Sequence, residues 1–393
     1  MKVVKSAKHY TETAMDEIKL LECITTADVT SLGAQYVTAI VDHFMVEGPN
    51  GTHVCMTFEV LGENLLSLIK RYRNRGIPIH LVKAISKQML LGLDYLHRVC
   101  GIIHTDLKPE NVLQYLDNAE ELLSRVSLSQ PQQRDAKDTS SGSPHSRGRS
   151  PVRHVKMMAS QPLSSDTSME DDRGRKNGKR SRSRSRYNHE MGDESPLRIK
   201  IADLGNACWV DHHFTEDIQT RQYRSPEVII GAKWDAGADI WSLACMIFEL
   251  LTGSYLFDPQ KGSRFNRDDD HLAQIIELMG PMNRSFALSG KNSREYFNHG
   301  GELRHISRLK YWNLEQVLYD KHGYHRHEAE EIASFLNPML SYEHRARACD
   351  LIHHPWLHGV EPILPNENED RARWKGDRPW REWQRSQRNK VHH

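Results

Sequence analysis

The sequence predicts an α+β fold in which strands come first and helices follow, and three stretches carry that prediction. HFMVEGPNGTHVCMTFEVL, residues 43–61, sets two β-rich runs around Gly48-Pro49-Asn50-Gly51, a turn signal between strands. HLVKAISKQMLLGLDYLHRV, residues 80–99, repeats apolar residues at helical spacing through Leu81, Ile85, Met89, Leu93 and Leu96. AGADIWSLACMIFELLTG, residues 236–253, is apolar nearly all round and reads as a helix buried at the centre of a domain.

Taken in order, the opening MKVVKSAKHYTETAMDEIKLL reads as a strand running into a helix, with Thr13 and Asp16 as a capping box for that helix. The hairpin follows, then the amphipathic helix, which leads into GIIHTDL. Periodic apolar pattern stops after NVLQYL, at about Leu116, and resumes at about Pro196 with PLRIKIADLG. Residues 116–195 hold SQPQQRDAKDTSSGSPHSRGRSPVRH and DDRGRKNGKRSRSRSRYNHEMGDES, a composition too poor in apolar surface to offset its ordering entropy. A disordered insert is expected there. By loop length alone such a segment argues for two separate domains, but the motifs on its two sides argue for one interrupted domain.

The chain has 393 residues and 38% hydrophobic content, enough for one large domain or two ordinary ones and somewhat low for a wholly folded protein. It has no apolar run of about 18 residues and no signal-peptide succession, which predicts a soluble intracellular protein. Six scattered cysteines without a C-x-x-C pair suggest reduced thiols rather than disulfides or a zinc cluster, and the paired histidines at 212–213, 353–354 and 392–393 lack a ligand constellation. The net charge of +1 is unevenly spread: Ser146 to Arg186 carries twelve Lys or Arg against four Asp or Glu, threading a basic segment through an acidic body.

Chemistry concentrates in two short strings. HTDLKPEN supplies Asp106, Lys108 and Asn111, and IADLGNA supplies Asp203, each after a strand-like apolar run. Three oxygen ligands and one ammonium suit a magnesium and phosphate site, because Mg²⁺ takes a few carboxylate or amide oxygens together with phosphate and water.

HTDLKPEN, DLG and RSPE in this order resemble the catalytic loop, magnesium loop and activation-segment end of eukaryotic protein kinases. MKVVKSAKHYTETAMDEIKLL, NGTHVCMTFEVLG, IADLGNACWVDHHFTEDIQTRQYRSPEVIIG and RDDDHLAQIIELMG are similar to the SR protein kinases, which phosphorylate serines in Arg-Ser repeats of splicing factors. The resemblance implies a bilobal kinase-like fold with a small β-rich lobe and a larger helical lobe, split by an insert of variable length. It divides the chain into a small lobe at 1–62, large-lobe segments at 63–115 and 196–365, the insert at 116–195 and a basic, Trp-containing tail at 366–393. It also implies ATP and Mg²⁺ as cofactors, Arg-Ser-rich splicing factors as substrates, a monomer with no membrane or direct nucleic-acid partner, and residence in cytoplasm and nucleus.

By position, the resemblance makes Asp106 the group that orients the substrate hydroxyl and accepts its proton, and Lys108 the charge that neutralises the γ-phosphate. Asn111 and Asp203 would hold magnesium. Lys2 would grip the α- and β-phosphates, Glu17 would pair with Lys2, and Glu59 and Leu61 complete the expected nucleotide site. In kinases a Gly-rich hairpin precedes the strand lysine, whereas Met1 stands directly before Lys2, so a truncated chain with weakened ATP binding is expected. Thr105 replaces the arginine of most regulated kinases, which implies that activation-loop phosphorylation is unnecessary. Glu227 is expected to pair with Arg345, and Asp239 to anchor the catalytic-loop backbone.

For substrate, Asp270 and Glu277 lie two helical turns apart and match acidic docking-groove positions, and Lys321 matches a further groove position, whereas Ser254 stands where relatives carry an acid. Arg221, Arg224 and Arg267 match a basic patch whose guanidinium groups suit phosphoserine. RSRSRSR at 180–186 reads either as autophosphorylation sites or groove occupant, or as a solvated linker. The tail's Trp374, Trp380 and Trp383 read either as nucleic-acid stackers or as packing on the domain. Two alternatives to a kinase stay open: an inactive scaffold that binds Arg-Ser partners, and an RNA-binding protein acting through the basic insert.

Overall fold

Two β-rich runs and a tight turn build the first sheet. In a computed structural model, which describes residues 1–117, 119 and 197–360, β1 (Lys2–Val3) and β2 (Ile40–Gly48) flank β3 (Gly51–Phe58), both antiparallel to it. Gly48 pairs with Gly51, so Pro49-Asn50 forms the two-residue turn that the sequence predicted. Gly51 takes φ 108°, where a Cβ would meet the Ser6 hydroxyl at 2.3 Å. The expected insert, apart from Leu116, Asp117 and Ala119, and the whole of the 366–393 tail lie outside the described residues.

Between β1 and β2 runs α1 (Lys8–Thr26), which buries Ala14, Glu17, Ile18, Leu20, Leu21 and Ile24. The expected capping box is not formed. The helix starts at Lys8, and Thr13 lies inside it with its hydroxyl donating to the His9 carbonyl at 2.9 Å, while Asp16 pairs with Lys19 at 2.8 Å. No Pro or Gly separates Lys8 from Thr13, so nothing stops the helix extending a turn earlier, and the threonine satisfies itself by back-bonding within the helix.

A second sheet, ordered β4-β6-β7, joins β4 (Leu61–Asn64), β6 (Val112–Tyr115) and β7 (Ile199–Ile201), and β5 (Ile102–Ile103) pairs with β8 (Cys208–Trp209). The side chain of Asn64 accepts from Ser67 N and caps α2 (Leu65–Arg71). The large lobe is built around α3 (Ile79–Asp94) and α5 (Gly237–Thr252), with α4 (Pro226–Ile230), α6 (Arg267–Met279) and α7 (Arg326–Leu336) around them. Ile85, Met89, Leu93 and Leu96 are fully buried, as their spacing predicts, and every residue of α5 from Ala238 to Thr252 is buried. One continuous apolar core runs from α1 and β3 through α3 to α5 and α7, giving the bilobal α+β kinase architecture.

The two sides of the insert are neighbours. β6 and β7 pair antiparallel with Gln114 opposite Ile199, and Tyr115 N donates to Arg198 O at 2.9 Å. Just beyond them, Arg198 Nη1 reaches Asp117 Oδ1 at 2.8 Å, and its guanidinium lies 4.0 Å from the centre of the Tyr115 ring.

Candidate active site

The catalytic loop descends from β5 and is pinned from below by one buried carboxylate. Asp239, at the start of α5, is wholly buried; its Oδ1 accepts from Thr105 N at 2.9 Å and its Oδ2 from His104 N and His97 Nε2, each at 2.8 Å. Burial by itself would raise this carboxyl, but the hydrogen bond and charge of His97 and the hydrogen bond from His104 N hold it below the usual range. His104 is equally buried. Its Nε2 donates to Ala202 O at 3.0 Å and its Nδ1 accepts from Asp106 N at 3.2 Å, which assigns one tautomer.

Asp106 is 9% exposed. Its Oδ1 accepts from the Thr220 hydroxyl at 2.7 Å and its Oδ2 from Lys108 Nζ at 2.6 Å, while Lys108 also donates to Thr220 Oγ1 at 3.2 Å. The Asn111 amide donates through Nδ2 to Asp106 O at 2.9 Å, which leaves Oδ1 as the atom free to face a ligand. Ala202 N donates to Asn111 O at 2.8 Å, and the next residue, Asp203, takes φ 60° with an exposed side chain.

Across the cleft, Lys2 Nζ donates to both oxygens of Glu17, at 2.7 and 2.8 Å, with Glu17 buried on α1. A Cβ at Gly205 would lie 3.4 Å from both Lys2 Nζ and Asp203 Oδ1, so these groups converge on one point beside Gly205. A cleft of about 290 Å³ is lined by Lys2, Glu17, Glu59, Leu61 and Asp203, together with apolar Leu21, Phe58 and Leu113. The Glu59 carboxylate accepts from Lys200 Nζ at 2.7 Å and Ala39 N at 3.2 Å, both through Oε1. Two hard oxygen donors beside an ammonium fit a magnesium-bound phosphate.

The expected docking residues are partly employed in holding the fold. On α6, Asp270 Oδ2 accepts from Gln260 N and Gln274 Nε2, each at 2.8 Å, and Glu277 Oε1 accepts from Lys310 N at 2.7 Å. Lys321 is exposed at the end of the turn Val317–Lys321. Arg221 is bound by Asp268 at 2.5 Å, and Arg224 by Asp217 at 3.1 Å and by Gln219 O, while Arg267 is exposed. Beneath them His271 is buried; burial first, then Arg221 and Arg224, pushes its imidazole down to about 3, so it stays neutral.

Glu227 and Arg345 form the expected pair, with Nη1 to Oε1 at 2.6 Å and Nη2 to Oε2 at 3.0 Å, both side chains buried. Burial would raise Glu227, but Arg345 outweighs it and holds the carboxyl low. Three site residues were missed. Thr220 and Gln219 carried no signal of their own, whereas Glu249 is, with Asp239, one of two carboxylates in an otherwise largely apolar helix. The Tyr223 hydroxyl donates to Glu249 Oε2 at 2.6 Å, and burial, despite that bond, pushes Glu249 up to about 7.

A protein kinase domain model matches residues 1–124 and 188–357. Protein kinase dsk1 of Schizosaccharomyces pombe is 43% identical over 413 residues, spanning 92% of this chain and 76% of that protein. Serine/threonine-protein kinase SRPK of Physarum polycephalum is 46% identical over 377 residues, spanning 93% of this chain and 80% of the relative. SRSF protein kinase 3 of Mus musculus is 38% identical over 458 residues, spanning 91% and 81%.

Proposed function

The chain belongs to the SR protein kinases, a branch of the protein kinase family, and from that premise we propose a residue-level account of how it transfers phosphate to serines in Arg-Ser repeats. As a protein kinase it is an ATP-dependent serine/threonine phosphotransferase. Its substrates are the Arg-Ser segments of splicing factors, met by the large lobe at 63–115 and 196–365, while the small lobe at 1–62 meets the nucleotide.

Asp106 takes the central role. Thr220 and Lys108 hold its two oxygens, so the carboxylate is fixed in orientation and ready to align a serine hydroxyl. As the serine oxygen bonds to the γ-phosphorus and the bridge to the β-phosphate breaks, the hydroxyl proton passes to Asp106. Lys108 offsets the charge on the transferred group, and Lys2, oriented by Glu17, holds the α- and β-phosphates. Asn111 and Asp203 would hold Mg²⁺, which would neutralise phosphate charge. Leu21, Phe58, Leu61 and Leu113 supply an apolar wall suited to the adenine ring. Arg-Ser repeats suit the acids of α6, whose remaining oxygens can take guanidinium groups, and Arg267 suits serines already phosphorylated. The same family membership supports residence in both cytoplasm and nucleus, to be read by imaging of the tagged full chain.

The single observation that carries this reading is the convergence of Lys2 Nζ and Asp203 Oδ1 around Gly205. The test is radiolabel transfer from ATP to an Arg-Ser repeat peptide and to a scrambled control, with Asp106→Asn beside the unmodified chain. Repeat-selective transfer that D106N abolishes is expected. Equal labelling of the scrambled peptide would refute the substrate assignment, and peptide binding without transfer would replace the enzyme by a scaffold.

A further inference from the structure

Thr105 stands immediately before Asp106, is 1% exposed, and takes φ 66°. A β-branched residue in the left-handed region is an outlier that persists only where its surroundings over-determine it. Here every polar atom is committed. The amide donates to Asp239 at 2.9 Å, the carbonyl accepts from Gln219 N at 2.9 Å, and the hydroxyl donates to Asn206 O at 2.7 Å.

The last bond is the informative one. His104 holds the carbonyl of Ala202, one residue before Asp203, and Thr105 holds the carbonyl of Asn206, three residues after it. Two consecutive catalytic-loop side chains therefore clamp both ends of the turn that presents Asp203. That turn needs clamping, because Asp203 is itself at φ 60° and is exposed. Without the hydroxyl the Asn206 carbonyl loses its bond to the catalytic loop and that end of the turn can relax.

We propose that Thr105 is a positioning residue whose hydroxyl fixes the Asp203 turn against the catalytic loop and so sets how tightly the site holds magnesium with nucleotide. The proposal rests on the kinase reading above. Outer-shell hydrogen bonds to a ligand-bearing segment typically matter about 10–100-fold in metal affinity. The hydroxyl alone can be deleted, because valine keeps the branch at Cβ and hence the same backbone penalty, whereas serine keeps the hydroxyl and loses only the methyl group.

The experiment compares the full chain with Thr105→Val and Thr105→Ser. Affinity for a fluorescent ATP analogue is titrated against Mg²⁺ and in EDTA, with Arg-Ser peptide phosphorylation measured on the same preparations. The expected result is that T105V raises the Mg²⁺ concentration for half-maximal binding about tenfold, leaves binding in EDTA unchanged, and is matched by no such rise in T105S. Equal Mg²⁺ dependence in T105V and the unmodified chain overturns the proposal, and so does an equal defect in T105S, which would mark a packing role. Mg²⁺-dependent binding that T105V weakens, in a chain that transfers no phosphate, upholds the proposal and overturns the kinase reading alone. If T105V does not fold, Thr105→Ala makes the same deletion and is read by the same criteria.

Discussion

Substituting Asp239 by asparagine removes one anionic oxygen from a carboxylate that receives three donors. His104 N and His97 Nε2 reach Oδ2 at 2.8 Å and Thr105 N reaches Oδ1 at 2.9 Å, so an amide in the same place turns its NH₂ toward at least one N–H. A hydrogen bond to a charged group contributes about 1.5–3 kcal/mol, and a buried donor left facing a donor costs a further 1–3 kcal/mol or so. The expected loss is about 3–5 kcal/mol, or about 10 °C in Tm for a domain of this size. Urea unfolding followed by tryptophan fluorescence reads it, with the buried Trp241 reporting from the same helix. The pH dependence has a fixed sign. Because the folded protein holds Asp239 below the usual carboxylate range, its contribution is present above about pH 4 and is lost as pH falls through the lowered folded value. The gap between Asp239 and D239N should therefore close on acidification. A D239N protein within about 1 kcal/mol of the unmodified chain at pH 7 would refute the view that this carboxylate holds the catalytic loop.

Glu249 should behave in the opposite sense: its carboxyl is raised to about 7, so folded stability drains as pH rises from the ordinary glutamate range toward neutrality. Glu249→Gln should be stabilising by up to about 3 kcal/mol at pH 8 and near neutral at pH 5, and an equal effect at both would refute the assignment. Glu17→Gln should change stability by less than about 1 kcal/mol, since the Lys2 side chain is 42% exposed, yet raise the KM for ATP several-fold; an unchanged KM counts against the pairing role. Glu227→Gln should cost about 3–5 kcal/mol, whereas Glu227→Leu combined with Arg345→Met should cost less than that single change, as urea midpoints would show.

Much of this site was legible because its residues arrive in short contiguous strings. HTDLKPEN places Asp106, Lys108 and Asn111 within one turn of chain, and the hairpin and α3 declare themselves through a turn signal and a 3.6-residue period. What failed to show depends on distance along the chain. Thr220 meets Asp106 across 114 residues, and the anchoring of amides some 135 residues away by Asp239 was reached only through the family resemblance. No local pattern encodes such a meeting. The start of α1 went astray for the reverse reason, since the Thr13–Asp16 spacing is a legitimate helix-start signal that the helix simply runs through. The arginines of the supposed phosphoserine patch were identified by position, but a sequence cannot reveal that Asp268 and Asp217 already face Arg221 and Arg224.

The strand pair β6–β7, closed by Tyr115, Arg198 and Asp117, turns the interruption of this domain into a cassette. Both ends of the interrupting chain are fastened side by side, and closing a flexible loop between fixed ends costs an entropy that grows only with the logarithm of its length, about 0.6 kcal/mol per doubling. A change in the number of residues between those strands therefore alters the closure cost by only a fraction of a kcal/mol unless it approaches a doubling.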